Sequence, residues 1–256
     1  MPDFASSTDG TAIAYDTVGE GPAVVLIGGA FSTRASMRPL AEMLAPRFRT
    51  IVYDRRGRGD SGPTNWVTAE RQVDDLLAVI AAAGPSMVFG HSSGGVLALL
   101  AASESPGITR VAAYEPPLLT VGGPDPTAAE FDAELRAMLE AGRDEEATAA
   151  WFARTSGGVF DERMRRQPWW PMLVAVARTL PDELALLGDG SVPPRFAAVG
   201  VSTLLLHGGA SPAWAVAAAT AAAATIPGSA VAEVPGESHA VDFRALLPVL
   251  EPFLAS

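Results

Sequence analysis

The run Ala23-Val24-Val25-Leu26-Ile27 places five apolar side chains in a row. A strand with one face in water alternates apolar and polar residues. An unbroken apolar run therefore fits a strand covered on both faces. Thr50-Ile51-Val52-Tyr53 reads the same way, and further short strands are expected at 87–89, Ile108–Tyr114, 201–206 and Ala230–Val234. Helical patterns separate them. Over 69–83, Val73, Leu76, Leu77 and Ile80 recur at helical spacing, while Glu70, Arg71, Asp74 and Asp75 fall on the opposite face. Strands alternating with helices imply an α/β fold, a mostly parallel central sheet flanked by helices. Residues 11–17, ahead of the turn Gly19-Glu20-Gly21-Pro22, read as an early antiparallel strand.

The alternation stops over 116–198. Amphipathic helices are expected there at 127–141, 144–154 and 161–166, with a cluster of large residues: Trp151, Phe152, Met164, Trp169, Trp170, Met172 and Leu173. The expected organisation is a core of 1–115 and 199–256, with 116–198 inserted after strand six as a helical lid. Aromatics in a lid suit an apolar substrate, and the plainer reading gives some of them to an ordinary core.

Composition narrows the function. With 256 residues and 48% hydrophobic content, the chain can build one large α/β domain. It has no cysteine, so disulfides and cysteine-based metal sites are excluded. The net charge of −11 leaves no basic stripe to meet phosphates, and nucleic acid is not expected as a partner. No apolar run approaches a membrane span; the alanine-rich stretch 213–226 is too short and lies between Pro212 and Pro227. Met1-Pro2-Asp3-Phe4 does not begin a signal peptide, so a soluble cytoplasmic protein is expected. Three scattered histidines make no metal site, and neither a P-loop nor a dinucleotide fingerprint is present, so no cofactor is expected.

The stretch Met87-Val88-Phe89-Gly90-His91-Ser92-Ser93-Gly94-Gly95 carries the chemistry. An apolar strand runs into Gly-x-Ser-x-Gly, and a helix-forming segment follows at once, the context of a nucleophile elbow. A turn this tight strains the serine backbone and brings positions two residues away into collision unless they lack a Cβ, as Gly90 and Gly94 do. The simpler alternative is a glycine-rich turn whose serine caps a helix.

With these features together, the chain resembles the α/β-hydrolase superfamily over nearly its whole length. Leu26-Ile27-Gly28-Gly29-Ala30-Phe31 looks like that family's loop after its third strand, with Gly28 where histidine is common. Tyr53-Asp54-Arg55-Arg56-Gly57-Arg58-Gly59-Asp60-Ser61 looks like its Asp-x-Arg-Gly-x-Gly-x-Ser turn, in which Asp54 and Ser61 have structural roles. Pro235-Gly236-Glu237-Ser238-His239 looks like the loop that delivers its histidine.

The resemblance implies Ser92 as nucleophile and His239 as its base, with His207 as the lesser candidate; His91 packs against or lines the site. The family's usual acid follows the seventh strand in a Gly-x-x-Asp pattern. Here Leu206-His207-Gly208-Gly209-Ala210-Ser211-Pro212 has no carboxylate. A minority of relatives, some lactone hydrolases among them, carry the acid after strand six, where this chain has Glu115 held by Pro116 and Pro117. Glu115 is thus the expected acid, ahead of Glu237 and Asp242, the latter read as a cap of the last helix. A structural carboxylate paired with an arginine is the competing role for Glu115. By family position, the oxyanion donors are the amides of Ala30 and Ser93, with Phe31 in the acyl wall. Trp151, Trp169, Trp170, His91 and His207 are expected around the substrate.

The function expected is hydrolysis of a carboxylic ester or lactone of an apolar small molecule through an acyl-enzyme. A thioesterase, or a release or editing enzyme of a biosynthetic pathway, would use the same machinery. A non-catalytic small-molecule binding protein is the reading from another class, motivated by the missing carboxylate.

Overall fold

Eight strands form a single sheet in the computed structural model, which describes residues 1–118, 127–155 and 158–256. In chain order they are β1 (Asp3–Ser6), β2 (Ala12–Val18), β3 (Ala23–Ile27), β4 (Arg49–Tyr53), β5 (Ser86–His91), β6 (Ile108–Tyr114), β7 (Ser202–Gly208) and β8 (Ala230–Val234). Across the sheet the order is β1-β2-β4-β3-β5-β6-β7-β8. The β1–β2 and β2–β4 pairings are antiparallel, and all others are parallel. The helices are α1 (Arg34–Leu44), α2 (Ala69–Ala83), α3 (Ser93–Ala102), α4 (Ala128–Glu140), α5 (Asp144–Thr155), α6 (Trp170–Ala175), α7 (Leu180–Leu187), α8 (Ala213–Thr225) and α9 (Phe243–Ala255).

Alternate residues of the central strands serve two cores, which is why their sequences are apolar throughout. Val24, Leu26, Val52 and Phe89 pack with Met37, Leu40 and Leu44 of α1 and Leu246, Leu250 and Leu254 of α9. Val25, Ile27, Ile51 and Val88 pack on the other face with α2, α3 and α8. All of α3 is buried, so it shows no polar face. From β3 the chain steps to β4 on one side, and β5 lies on the other. Ligand sites in open α/β sheets form outside the carboxyl ends of strands where the order reverses in this way, here β3 and β5.

Helices α4 to α7 lie between β6 and β7. They have a core of their own, with Phe131, Leu135, Leu139, Trp151 and Leu180, and the loop residues Ala30 and Phe31 pack against it. Residues 119–126 and 156–157 of the expected lid lie outside the described residues. The helix expected at 161–166 is instead a short 3₁₀ turn, Glu162–Arg166, with no buried residue. Met164 is its one apolar side chain, so no stripe exists to bury, and the Asp161 side chain accepts the Arg163 N–H in a local turn. Among the described residues no helix is long and apolar enough to cross a membrane.

Candidate active site

The turn from β5 into α3 puts Ser92 at φ 56° and ψ −128°, a left-handed conformation that only strong local constraints maintain. The constraints are visible. A Cβ on Gly90 would lie 2.2 Å from the Gly94 carbonyl oxygen, and one on Gly94 would lie 2.6 Å from that of Ile27. The Ser92 N–H donates to the Tyr114 carbonyl at 2.8 Å, tying the turn to the end of β6.

Glu115 follows β6 with φ 46°, and its N–H extends the ladder to the Leu206 carbonyl at 2.8 Å. Its carboxylate has no exposed surface. Oε1 accepts from the Gly208 N–H at 2.8 Å and from the Ser211 hydroxyl, and Oε2 lies 2.8 Å from Nδ1 of His239. Burial works to raise the Glu115 pKa; the hydrogen bonds from His239, Ser211 and Gly208 outweigh it and hold the carboxyl below its usual value. On the far side of the imidazole, Nε2 lies 3.1 Å from Ser92 Oγ. An ionised Glu115 requires the proton on Nδ1, which leaves Nε2 free to accept from the serine hydroxyl. Residues from three strand ends thus form one hydrogen-bonded chain.

His91 points away from the hydroxyl. Its Nε2 donates to the His239 carbonyl at 2.8 Å, and the two rings stand 5.0 Å apart. Burial, and next the nearby His239 charge, push the His91 imidazole down to about 4, so it is neutral at pH 7. The Tyr114 hydroxyl donates to the Ser238 carbonyl at 2.7 Å and pins the same loop. His207 is buried in β7, its Nδ1 3.3 Å from the Gly208 carbonyl oxygen, and Ser92 bonds to His239 instead. Glu237 and Asp242 are engaged locally: Glu237 accepts the Asp242 N–H and Asp242 the Arg244 N–H, capping α9. Asp54 accepts the Arg34 and Asp60 amides and Ser61 the Ala14 amide, the structural roles expected.

The loop after β3 crosses directly over the nucleophile. A Cβ on Gly29 would lie 2.7 Å from that of Ser92, and one on Gly28 would lie 2.3 Å from that of Ser32, so no histidine fits at Gly28 in this loop. Among the described residues, no backbone or side-chain acceptor takes the amide protons of Ala30 and Ser93. Phe31 stacks on Phe152 at 5.3 Å and meets Trp151 edge-on at 6.3 Å. Trp170 is buried and adjoins Phe152, with Nε1 on Glu145, while Trp169 is more exposed and packs on Trp170. Two contacts were not expected from sequence. Ser211 stands at the last position of Gly-x-x-Asp and donates to Glu115, a relation that the spacing Gly208-Gly209-Ala210-Ser211 carries. Trp214, from α8, lies 5.9 Å from the His239 ring.

A model of the alpha/beta hydrolase family matches residues 24–251. A pimeloyl-[acyl-carrier protein] methyl ester esterase of Xanthomonas campestris pv. campestris is 30% identical over 232 residues, 88% of this chain and 90% of that protein. The crystal structure of an alpha/beta hydrolase from Sphaerobacter thermophilus DSM 20745 is 45% identical with TM-score 0.90, covering 98% of this chain and 99% of that one. The enol-lactonase of Burkholderia xenovorans LB400, 21% identical with TM-score 0.74 over 99% of this chain and 100% of its own, shares the fold. The chain belongs to the alpha/beta hydrolase family.

Proposed function

We infer that this protein is a serine hydrolase that cleaves a carboxylic ester or lactone of an apolar small molecule. The observation that carries the reading is the hydrogen-bonded chain from Glu115 through His239 to Ser92. Ser92 Oγ attacks the acyl carbon while His239 Nε2 takes its proton. Glu115 keeps the imidazole in the required tautomer and stabilises the cation that forms. The amides of Ala30 and Ser93 receive the negative charge on the carbonyl oxygen. The C–O bond then breaks, His239 returns the proton to the leaving oxygen, and water cleaves the acyl-enzyme with the same histidine as base. In this reading 116–198 acts as a lid, and Phe31 with Trp151 and Phe152 forms the acyl wall. Similarity to a methyl ester esterase supports an oxygen leaving group.

The test is turnover of a short-to-medium acyl ester panel, a lactone and a matched thioester by wild type, Ser92→Ala and Glu115→Gln. Ser92→Ala is expected to be inert. Glu115→Gln is expected to lose about 10²- to 10⁴-fold in kcat while folded. Full turnover by Ser92→Ala would sink the reading, and a wild type that prefers the thioester would redirect it to thioester cleavage.

A further inference from the structure

A second polar cluster lies behind the loop that carries Ala30, and its core is almost free of solvent. Arg58, 2% exposed, directs Nη1 to two carbonyls of that loop, Gly29 at 2.8 Å and Ser32 at 3.0 Å. Its Nη2 pairs with Glu183 of α7, and its Nε donates to Thr179 Oγ at 3.2 Å. Glu183 is fully buried and also lies 2.9 Å from Nη1 of Arg55, which donates to Ser93 Oγ at 3.2 Å. Burial opposes the Glu183 charge, but Arg55 and Arg58 outweigh it and hold the carboxyl ionised.

The Gly29 carbonyl and the Ala30 N–H are the two ends of one peptide group. The group is planar and trans, so its oxygen and hydrogen point in opposite directions. A guanidinium that grips the oxygen therefore fixes where the hydrogen points. It also polarises the peptide, which makes the N–H a better donor. A buried ion pair adds little net stability over an apolar replacement of similar shape. Stability alone is thus a poor account of three buried charges set against both donor segments.

We propose that Arg58, held by Glu183 of the inserted segment, is a positioning residue for oxyanion stabilisation, aiming the Ala30 amide through the Gly29 carbonyl. Arg55, on the same glutamate, steadies Ser93. The inference rests on the acyl-transfer reading above, and it makes the inserted segment part of the catalytic frame. Lysine cannot substitute, because one nitrogen cannot reach Gly29, Ser32, Glu183 and Thr179 together.

The experiment compares wild type, Ser92→Ala, Arg58→Lys and Glu183→Asp. It measures kcat and KM on p-nitrophenyl acyl esters, inhibition by an alkylboronic acid that adds to the serine as a tetrahedral adduct, and melting temperature. Arg58→Lys is expected to lose about 10- to 100-fold in kcat with KM within about twofold, and to bind the boronate more weakly by a similar factor. Glu183→Asp, which keeps the charge balance but shortens the reach, is expected to show a smaller loss of the same kind. A folded Arg58→Lys that keeps kcat and boronate affinity overturns the proposal, as does a loss confined to KM. Should Arg58→Lys not fold, Glu183→Asp decides by the same criteria. Ser92→Ala separates the two levels. Full turnover there removes the acyl-enzyme reading and this inference with it, whereas an inert Ser92→Ala beside an unaffected Arg58→Lys removes the positioning role alone.

Discussion

Glu115 keeps a charge where no water reaches it because the His239 ring, the Ser211 hydroxyl and the Gly208 amide converge on its two oxygens. Its lowered pKa contributes stability that is present above the ordinary carboxylate value and is lost as pH falls through the folded-state value. Ser211→Ala removes one donor while leaving the imidazole contact, and kcat should fall about tenfold, as measured on the best ester. His91 gives a separate handle on pH. Its folded pKa of about 4 lies below that of a free histidine, so its neutral form is favoured. The stability this confers is complete above about pH 6.5 and is lost as pH falls toward 4, by about 3 kcal/mol at most. Asp182, pushed up to about 6 by burial, runs the opposite way over the same range. The informative quantity is therefore the difference between wild type and His91→Gln, which keeps a donor but does not titrate. In urea unfolding, that difference should shift in favour of the variant between pH 7 and pH 4.5.

At the scale of the elements, the apolar runs revealed β3, β4 and β5, and the glycine spacing revealed the elbow, because both follow from local sterics and two-sided burial. Helix α1 is absent from the sequence expectations: Pro39 interrupts its pattern, although Met37, Leu40, Ala41 and Leu44 are all buried on one side. The carboxylate on His239 was legible only through a gap, the missing acid after β7, since 124 residues separate the pair in the chain. Arg58 and Glu183 were not legible as partners, because a contact across 125 residues leaves no local pattern. The elbow also tolerates little change. Gly94→Ala would press a methyl against the Ile27 and Gly28 carbonyls at 2.6 and 2.7 Å, and should cost about 3 kcal/mol in denaturant unfolding. Asp242→Ala, which removes the α9 cap, should cost about 1 kcal/mol in the same measurement.

Taken whole, the molecule is a sheet with two apolar cores, and helices between β6 and β7 carry a third. The third core is joined to the rest through Ala30, Phe31 and Trp66, through Leu186 of α7, which is buried in the core of the sheet, and through the buried charges of Glu183, Arg55 and Arg58. Leu135→Ala, at a fully buried position of that third core, should cost about 2–5 kcal/mol. Hydrogen exchange should then quicken in α4 and α5 while β3 and β5 stay protected. Among the described residues, four besides glycine have left-handed backbones: Phe31, Trp66, Ser92 and Glu115. Ser92 and Glu115 belong to the hydrogen-bonded chain, and Phe31 follows Ala30. Each such residue costs on the order of 1–3 kcal/mol that glycine would relieve. Any library selected for heat tolerance alone would thus be drawn toward glycine at these positions, and on the function proposed above its most robust members would be the inert ones. A stabilised catalyst from this chain must be sought with Phe31, Ser92 and Glu115 held fixed and the gains taken elsewhere.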